Sequence, residues 1–165
     1  MNEDPMMDHQ RRERLVAAYK DGCRAVVDAL AGATDSELDF EPGEGKWTVR
    51  QIVHHLADSE MTSAIRLRLL IASDSPNIVG YDQDEYARRL YYSDRPIVAA
   101  LAAFDAARRT SAEILDHLTE DEWLREGTHN EIGRYTVYKW LEIYAVHAHG
   151  HAEQIEAARV AAARK

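Results

Sequence analysis

The chain has 165 residues, of which 29 are acidic and 20 are basic, and its formal net charge is −9. This length suits one domain with a substantial core and is short for two. The negative charge opposes binding to phosphate backbones and anionic membranes, so we expect neither nucleic acid nor a membrane as a partner. The single cysteine, Cys23, cannot form an internal disulfide. With no visible signal peptide or membrane-spanning apolar run, the cytoplasm is the expected compartment.

Apolar residues at helical spacing predict two long helices in the first half of the chain. The first covers about residues 9–30 and ends near Gly32. A polar connector, residues 34–46, follows it. Thr48 and Gln51 have the capping-box arrangement, which satisfies free amides of a first turn, and so predict the start of a second helix that reaches about residue 71.

The second half of the chain predicts two more long helices. Residues 73–95, rich in Asp, Tyr, Pro and Asn, favour a long crossover between non-adjacent helices, with a short helix near residues 85–90. Pro96 suits the first turn of a third helix that reaches about residue 118. Thr119 and Glu122 repeat the capping-box pattern, a loop covers about residues 127–134, and Thr136 is the expected cap of the fourth helix.

These elements predict an all-α fold, a four-helix bundle with one long crossover connection. We expect a single domain over residues 1–165, with frayed tails at residues 1–8 and 160–165. In such bundles, metal and cofactor sites are formed by inward side chains of facing helices.

Two histidines of the fourth helix have the spacing of metal ligands. At about 100° per residue, His147 and His151 share the apolar face of the helix, whereas His149 lies opposite and is expected to point to solvent. Two stacked imidazoles in an apolar stripe would repel each other if both were charged. The pattern therefore favours metal binding over simple core packing.

The second helix carries an adjacent pair, His54 and His55, and periodicity does not decide which of them is a third ligand. Asp58 is a candidate to pair with His54 on the outer face. Glu60 lies on the inward side, where an unpaired carboxylate is unfavourable. It is a candidate acceptor for the N–H of a ligating imidazole, an extra ligand or a catalytic general base; solvent exposure or pairing with an arginine is about equally expected.

Several motifs run through the chain: TDSELD at 34–39, WTVRQIVHHLADSE at 47–60, IRLRL at 65–69, SPNIVGYDQDEYA at 75–87 and YAVHAHGHAEQI at 144–155. Together they resemble the YfiT-like branch of the DinB superfamily. The resemblance implies a DinB-type bundle that holds one divalent transition metal, nickel or zinc, through His55, His147 and His151. It also implies a homodimer. The chain departs from this pattern at Glu60, Gly150 and Gln154, where relatives carry histidines.

Three neutral imidazoles leave a divalent ion doubly positive and short of at least one ligand, so a water or a substrate atom can bind there. Activation of water would make the protein a metal-dependent hydrolase, as YfiT-like proteins are commonly described. Activation of a low-molecular-weight thiol, such as bacillithiol or mycothiol, would make it an S-transferase or isomerase, as in other members of the superfamily. A non-catalytic metal-binding stress protein is the third hypothesis.

The substrate is expected to be a small molecule. Arg50 and Arg66 on the second helix and Tyr144 on the fourth are candidates to contact it. His129 matches a loop histidine of the family and is a further candidate. For such residues, packing or a surface salt bridge is the more frequent role.

Overall fold

Four long helices form a bundle in the computed structural model, which describes residues 9–164. They are α1 (His9–Leu30), α3 (Val49–Ala72), α5 (Ile97–Leu115) and α7 (Val137–Ala162). Three short helices lie in the connections: α2 (Asp35–Leu38), α4 (Gln83–Arg89) and α6 (Glu120–Trp123). The four-helix bundle predicted from the sequence is confirmed. Of the described helices, none combines the length and the apolar character that crossing a membrane would require.

The structure describes most of the expected C-terminal tail but not the expected N-terminal tail. Residues 1–8 and residue 165 lie outside the described residues. Helix α7 continues past residue 160 and ends at Ala162.

The helix starts agree with the predicted caps. Thr48 and Thr119 form complete capping boxes with the side chains three residues further on, and the Thr136 side chain accepts from the backbone N–H of Lys139. Pro96 occupies the position just before the first residue of α5. Because each threonine cap satisfies an amide that the helix itself cannot, these three helix starts are fixed locally and are readable from the sequence.

The arrangement of the helices differs from the predicted connectivity. Helix α7 packs against α1 and α3, and α5 packs against the same two helices. Residues 73–96 therefore join α3 and α5, which are neighbours, and not two distant helices as expected. The connections from α1 to α3 and from α5 to α7 each join helices at opposite corners of the bundle.

A small sheet replaces part of the predicted loop at residues 127–134. Its strands are β1 (Asn77–Ile78), β2 (Glu126–His129) and β3 (Gly133–Thr136), with β2 in the middle, parallel to β1 and antiparallel to β3. The hairpin turn ends at Gly133, whose φ of 76° is in the left-handed region that favours glycine. Strands of two to four residues are too short to show a clear alternation in sequence, so the pattern did not predict them.

The core consists of two apolar clusters separated along the helices by a polar layer. On α3, the apolar residues Val49, Ile52, Val53, Leu56 and Ala57 belong to one cluster, and Leu67 and Leu70 belong to the other. Between and around them lie buried polar side chains, which on α3 and α5 are His54, His55, Ser59, Glu60, Ser63, Arg108 and Ser111. The buried polar side chains therefore lie inside the bundle, in contact with the apolar core.

Two helical glycines give opposite stability predictions. A Cβ on Gly22 would lie 2.7 Å from Arg108 Nη2 and 2.8 Å from Ala148 Cβ. Gly22→Ala should therefore destabilise the fold by about 1–3 kcal/mol through overpacking. A Cβ on Gly150 meets no heavy atom within 4 Å, so Gly150→Ala should stabilise it by about 0.5–1 kcal/mol. Urea denaturation of both variants tests the close approach of α1 to α7, and a Gly22→Ala protein as stable as wild type would contradict it.

Candidate metal centre

Three histidines from two helices converge in the polar layer. His147 Nε2 lies 3.3 Å from His55 Nε2 and 3.2 Å from His151 Nε2, and the three donor atoms all lie within 4.8 Å of one another. In a tetrahedral zinc site with bonds of about 2.0–2.1 Å, two ligand atoms are about 3.3–3.4 Å apart. The two short nitrogen separations therefore match the spacing of ligands around one ion.

The protonation state of these imidazoles also suits a metal. Burial and the neighbouring His151 lower the pKa of His55 to about 3. Burial, followed by the charges of His151 and His55, lowers the pKa of His147 to about 3. Burial also lowers the pKa of His151. At neutral pH each ring is therefore neutral and offers the lone pair that a metal ion needs.

Two side chains outside the triad orient its rings. His151 Nδ1 lies 2.9 Å from Gln154 Oε1, an acceptor, so Nδ1 carries the proton and Nε2 is left free to bind an ion. The Trp47 ring packs on His55 with centroids 4.8 Å apart. Neither residue was selected from the sequence as functional. The available signal for Gln154 was its position three residues after His151, on the same face of the helix.

The remaining two candidate histidines of α3 and α7 bind backbone carbonyls. His54 is as buried as His55, but its Nε2 lies 3.1 Å from the carbonyl oxygen of Arg95. The expected His54–Asp58 pair is not observed, because Asp58 accepts from the Tyr92 hydroxyl at 2.5 Å. His149 does not point to solvent as expected. Its Nε2 lies 3.0 Å from the Ala18 carbonyl oxygen, because α1 packs on that side of α7.

Glu60 is paired with an arginine, which was one of its alternatives. Its Oε2 accepts from Arg108 Nη1 at 2.6 Å, and both side chains are only 1% exposed. Its Oε1 accepts from the hydroxyls of Tyr19 and Ser63. The carboxylate is thus saturated by the protein and is not part of the three-histidine group. The suggested catalytic role of Glu60 is therefore not the one that its contacts favour.

Arg108, on α5, forms hydrogen bonds to the other three long helices. Its Nε donates to the Tyr19 carbonyl at 2.6 Å and its Nη2 to the Tyr144 carbonyl at 2.8 Å. With the Glu60 pair, these bonds connect α5 to α1, α7 and α3. The sequence reasoning missed Arg108, although a helical wheel places it on the buried face of α5 between Phe104 and Ser111.

Two of the four substrate-contact candidates lie close to the centre. The Tyr144 ring packs edge-on to His147, with centroids 5.9 Å apart. Its hydroxyl accepts from Arg66 Nη1 at 3.1 Å, and Arg66 Nη2 donates to the Val79 carbonyl at 2.6 Å. No carboxylate among the described residues pairs with Arg66.

The other two candidates are engaged elsewhere. Arg50 forms a bidentate pair with Asp39, at 2.6 and 2.9 Å, which joins α3 to the C-terminal end of α2. His129 is buried in the hairpin, where its Nδ1 accepts from the Glu131 backbone N–H at 3.1 Å. The structure does not bring these two side chains into the three-histidine group.

Known proteins of one family are similar to this chain over most of its length. The profile of the DinB superfamily matches residues 18–155. A protein of Oceanobacillus iheyensis named "putative metal-dependent hydrolase" is 35% identical over 132 residues, 80% of this chain and 76% of the relative. The similarly named YfiT of Bacillus subtilis is 30% identical over 160 residues, 92% of this chain and 90% of YfiT.

The fold is likewise that of a solved relative. The structure of Bacillus subtilis YfiT, described as a "probable metal-dependent hydrolase with an unusual four-helix bundle topology", superposes with a TM-score of 0.85. The match has 27% sequence identity and covers 94% of this chain and 89% of YfiT. The chain therefore belongs to the DinB superfamily.

Proposed function

We propose that the protein is a metal-dependent hydrolase that holds one divalent ion, zinc or nickel, through His55, His147 and His151. The observation that carries this proposal is the convergence of three neutral, largely buried Nε2 atoms at ligand spacing. Nitrogen donors of this kind suit zinc and nickel better than magnesium or calcium. When bound, such an ion lowers the pKa of a water ligand towards about 7 and polarises a substrate carbonyl.

Tyr144 and Arg66 are proposed to bind the substrate beside the ligands. Tyr144 accepts from Arg66, so its own hydroxyl proton is available to donate to a substrate oxygen. Burial raises the pKa of Tyr144, which keeps the hydroxyl protonated at neutral pH. The Arg66 guanidinium adds a positive charge that favours developing negative charge on that oxygen.

Turnover by the metal-loaded protein tests this function. Ester and amide substrates should be hydrolysed, and the activity should fall to background after chelation and return when zinc or nickel is added back. His55→Ala provides the matched inactive control, because it removes one donor and leaves the cluster around Arg108 in place.

The same donor set would also ionise a bound thiol, so a second arm combines low-molecular-weight thiols with a monohalobimane as electrophile. Metal-dependent conjugation without ester or amide hydrolysis would replace the hydrolase proposal with thiol S-transfer. Metal binding without turnover in either arm would indicate a non-catalytic metal-binding protein.

We also propose that the protein is a homodimer. Met61, Ile65 and Leu69 are 41%, 61% and 37% exposed and follow one another at four-residue spacing, which places an apolar stripe on the outside of α3. A two-fold pair would bury such a stripe against its own copy. Light scattering should therefore give twice the chain mass, and Ile65→Asp should shift it towards the monomer. A wild-type monomer at all concentrations would contradict this assembly.

A further inference from the structure

A cleft of about 590 Å³ opens beside His151. The first connector and the beginning of α4 form one wall, and the C-terminal half of α7 forms the other. Its volume is within the range of about 300–1,000 Å³ that is usual for small-molecule sites. The cleft is therefore large enough for a drug-sized organic molecule.

The cleft shares its walls with the candidate metal centre. His151 lines it directly. Trp47 lines it and also packs on His55, with ring centroids 4.8 Å apart. Gln154 lines it and accepts from His151 Nδ1. A molecule in the cleft would therefore lie next to one donor histidine and contact side chains that orient two of them.

The lining is mixed, with apolar side chains on both walls and polar or charged side chains beside them. Its apolar part consists of Trp47, Ile52 and three alanines of α7, Ala157, Ala158 and Ala161, and the amides of Gln83 and Gln154 lie in the polar part. Lys46 and Asp84 also line the cleft, and their formal charges cancel. An apolar group would gain free energy by leaving water here, whereas a phosphate or polyanion would find no excess of positive charge.

We propose that the apolar part of this cleft binds an acyl or aryl group of the substrate, so that the enzyme acts on amphipathic small molecules. The inference rests on the proposed function, because the reacting end of the molecule lies at the three histidines. The short side chains of α7 leave the room for this group, and Trp47 covers it from the opposite wall.

Hydroxamates of increasing chain length test the cleft without knowledge of the natural substrate. A hydroxamate binds a divalent metal through its two oxygens. The dependence of its affinity on the length of its alkyl chain then shows whether the chain is buried in the cleft. On zinc-loaded protein, octanohydroxamate should bind at least about 30-fold more tightly than acetohydroxamate by calorimetry, since each fully buried methylene contributes roughly a fourfold gain.

Two tryptophan variants on the same helix locate the effect. Ala157 is exposed and lines the cleft, so Ala157→Trp should fill it. The affinities of octanohydroxamate and acetohydroxamate should then differ by no more than about threefold. Val160 is 50% exposed and lies outside the lining, so Val160→Trp should keep the wild-type preference for octanohydroxamate over acetohydroxamate. Both variants should bind acetohydroxamate like wild type, which shows that the metal centre is intact.

The outcomes separate the two proposals. If zinc or acetohydroxamate does not bind to the wild-type protein, the proposed function fails. If both hydroxamates bind with equal affinity, or if Ala157→Trp keeps the preference for the long chain, the function stands and the cleft assignment is overturned.

Discussion

Replacement of His55, His147 or His151 by alanine is expected to weaken zinc or nickel binding by at least two orders of magnitude. Each change removes one of three donors whose nitrogens are held at ligand spacing, and even the loss of an outer-shell partner of a ligand typically weakens binding by about 10–100-fold. Competition calorimetry against a chelator of known affinity measures the effect.

His54→Ala and His149→Ala are the matched controls. Each removes an imidazole of the same two helices that binds a backbone carbonyl, of Arg95 and Ala18 respectively, and that lies outside the group. Both variants should keep wild-type metal affinity, although each should lose some stability. Loss of metal in His54→Ala with retention in His55→Ala would mean that the ligand of α3 is misassigned.

Arg108→Ala is expected to destabilise the protein by about 3–5 kcal/mol, the usual effect of removing one partner of a buried ion pair. The change would leave the buried Glu60 carboxylate without its cation and two buried carbonyls, of Tyr19 and Tyr144, without their donor. Urea denaturation measures the free energy of unfolding directly.

Two further variants give this prediction its controls. Arg109 is next in sequence, and its pair with Asp105 is 3.5 Å long and exposed, so Arg109→Ala should change stability by less than about 1 kcal/mol. The double variant Glu60→Leu with Arg108→Met should lose less free energy of unfolding than the two single variants lose together, because no unpaired charge remains. A loss below about 1 kcal/mol in Arg108→Ala would show that the pair contributes little.

The helices were predictable because their signals are local. Capping residues and apolar spacing act within one or two turns, so α3, α5 and α7 begin within about two residues of the predicted positions. The pairing of the helices depends on contacts between distant residues, and the prediction that residues 73–95 connect non-adjacent helices was wrong for that reason.

The same distinction explains which parts of the site were readable from the sequence. The four-residue spacing placed His147 and His151 on one face of α7 without any knowledge of its neighbours. The wheel could not show that α1 covers the opposite face, so His149 was wrongly expected in solvent. On α3 both His54 and His55 are buried, because different elements pack on each side, and only the family resemblance pointed to His55.

Glu60 shows where sequence reasoning ends within the site. Its inward position was predicted, and the need for a partner followed from the unfavourable burial of a lone carboxylate. The choice among a metal, an imidazole and an arginine depended on α5, which is distant in sequence. Arg108 provides the partner from the buried face of that helix.

Titration of metal-free protein with zinc, followed by calorimetry and thermal unfolding, tests the central claim most directly. We expect one ion per chain. At a free concentration 100 times the dissociation constant, binding to the folded state alone should add about 2.7 kcal/mol of stability, which corresponds to an increase in the melting temperature of about 5–10 °C. If no metal is retained by elemental analysis and neither zinc nor nickel shifts the melting temperature, the three histidines are not a metal centre.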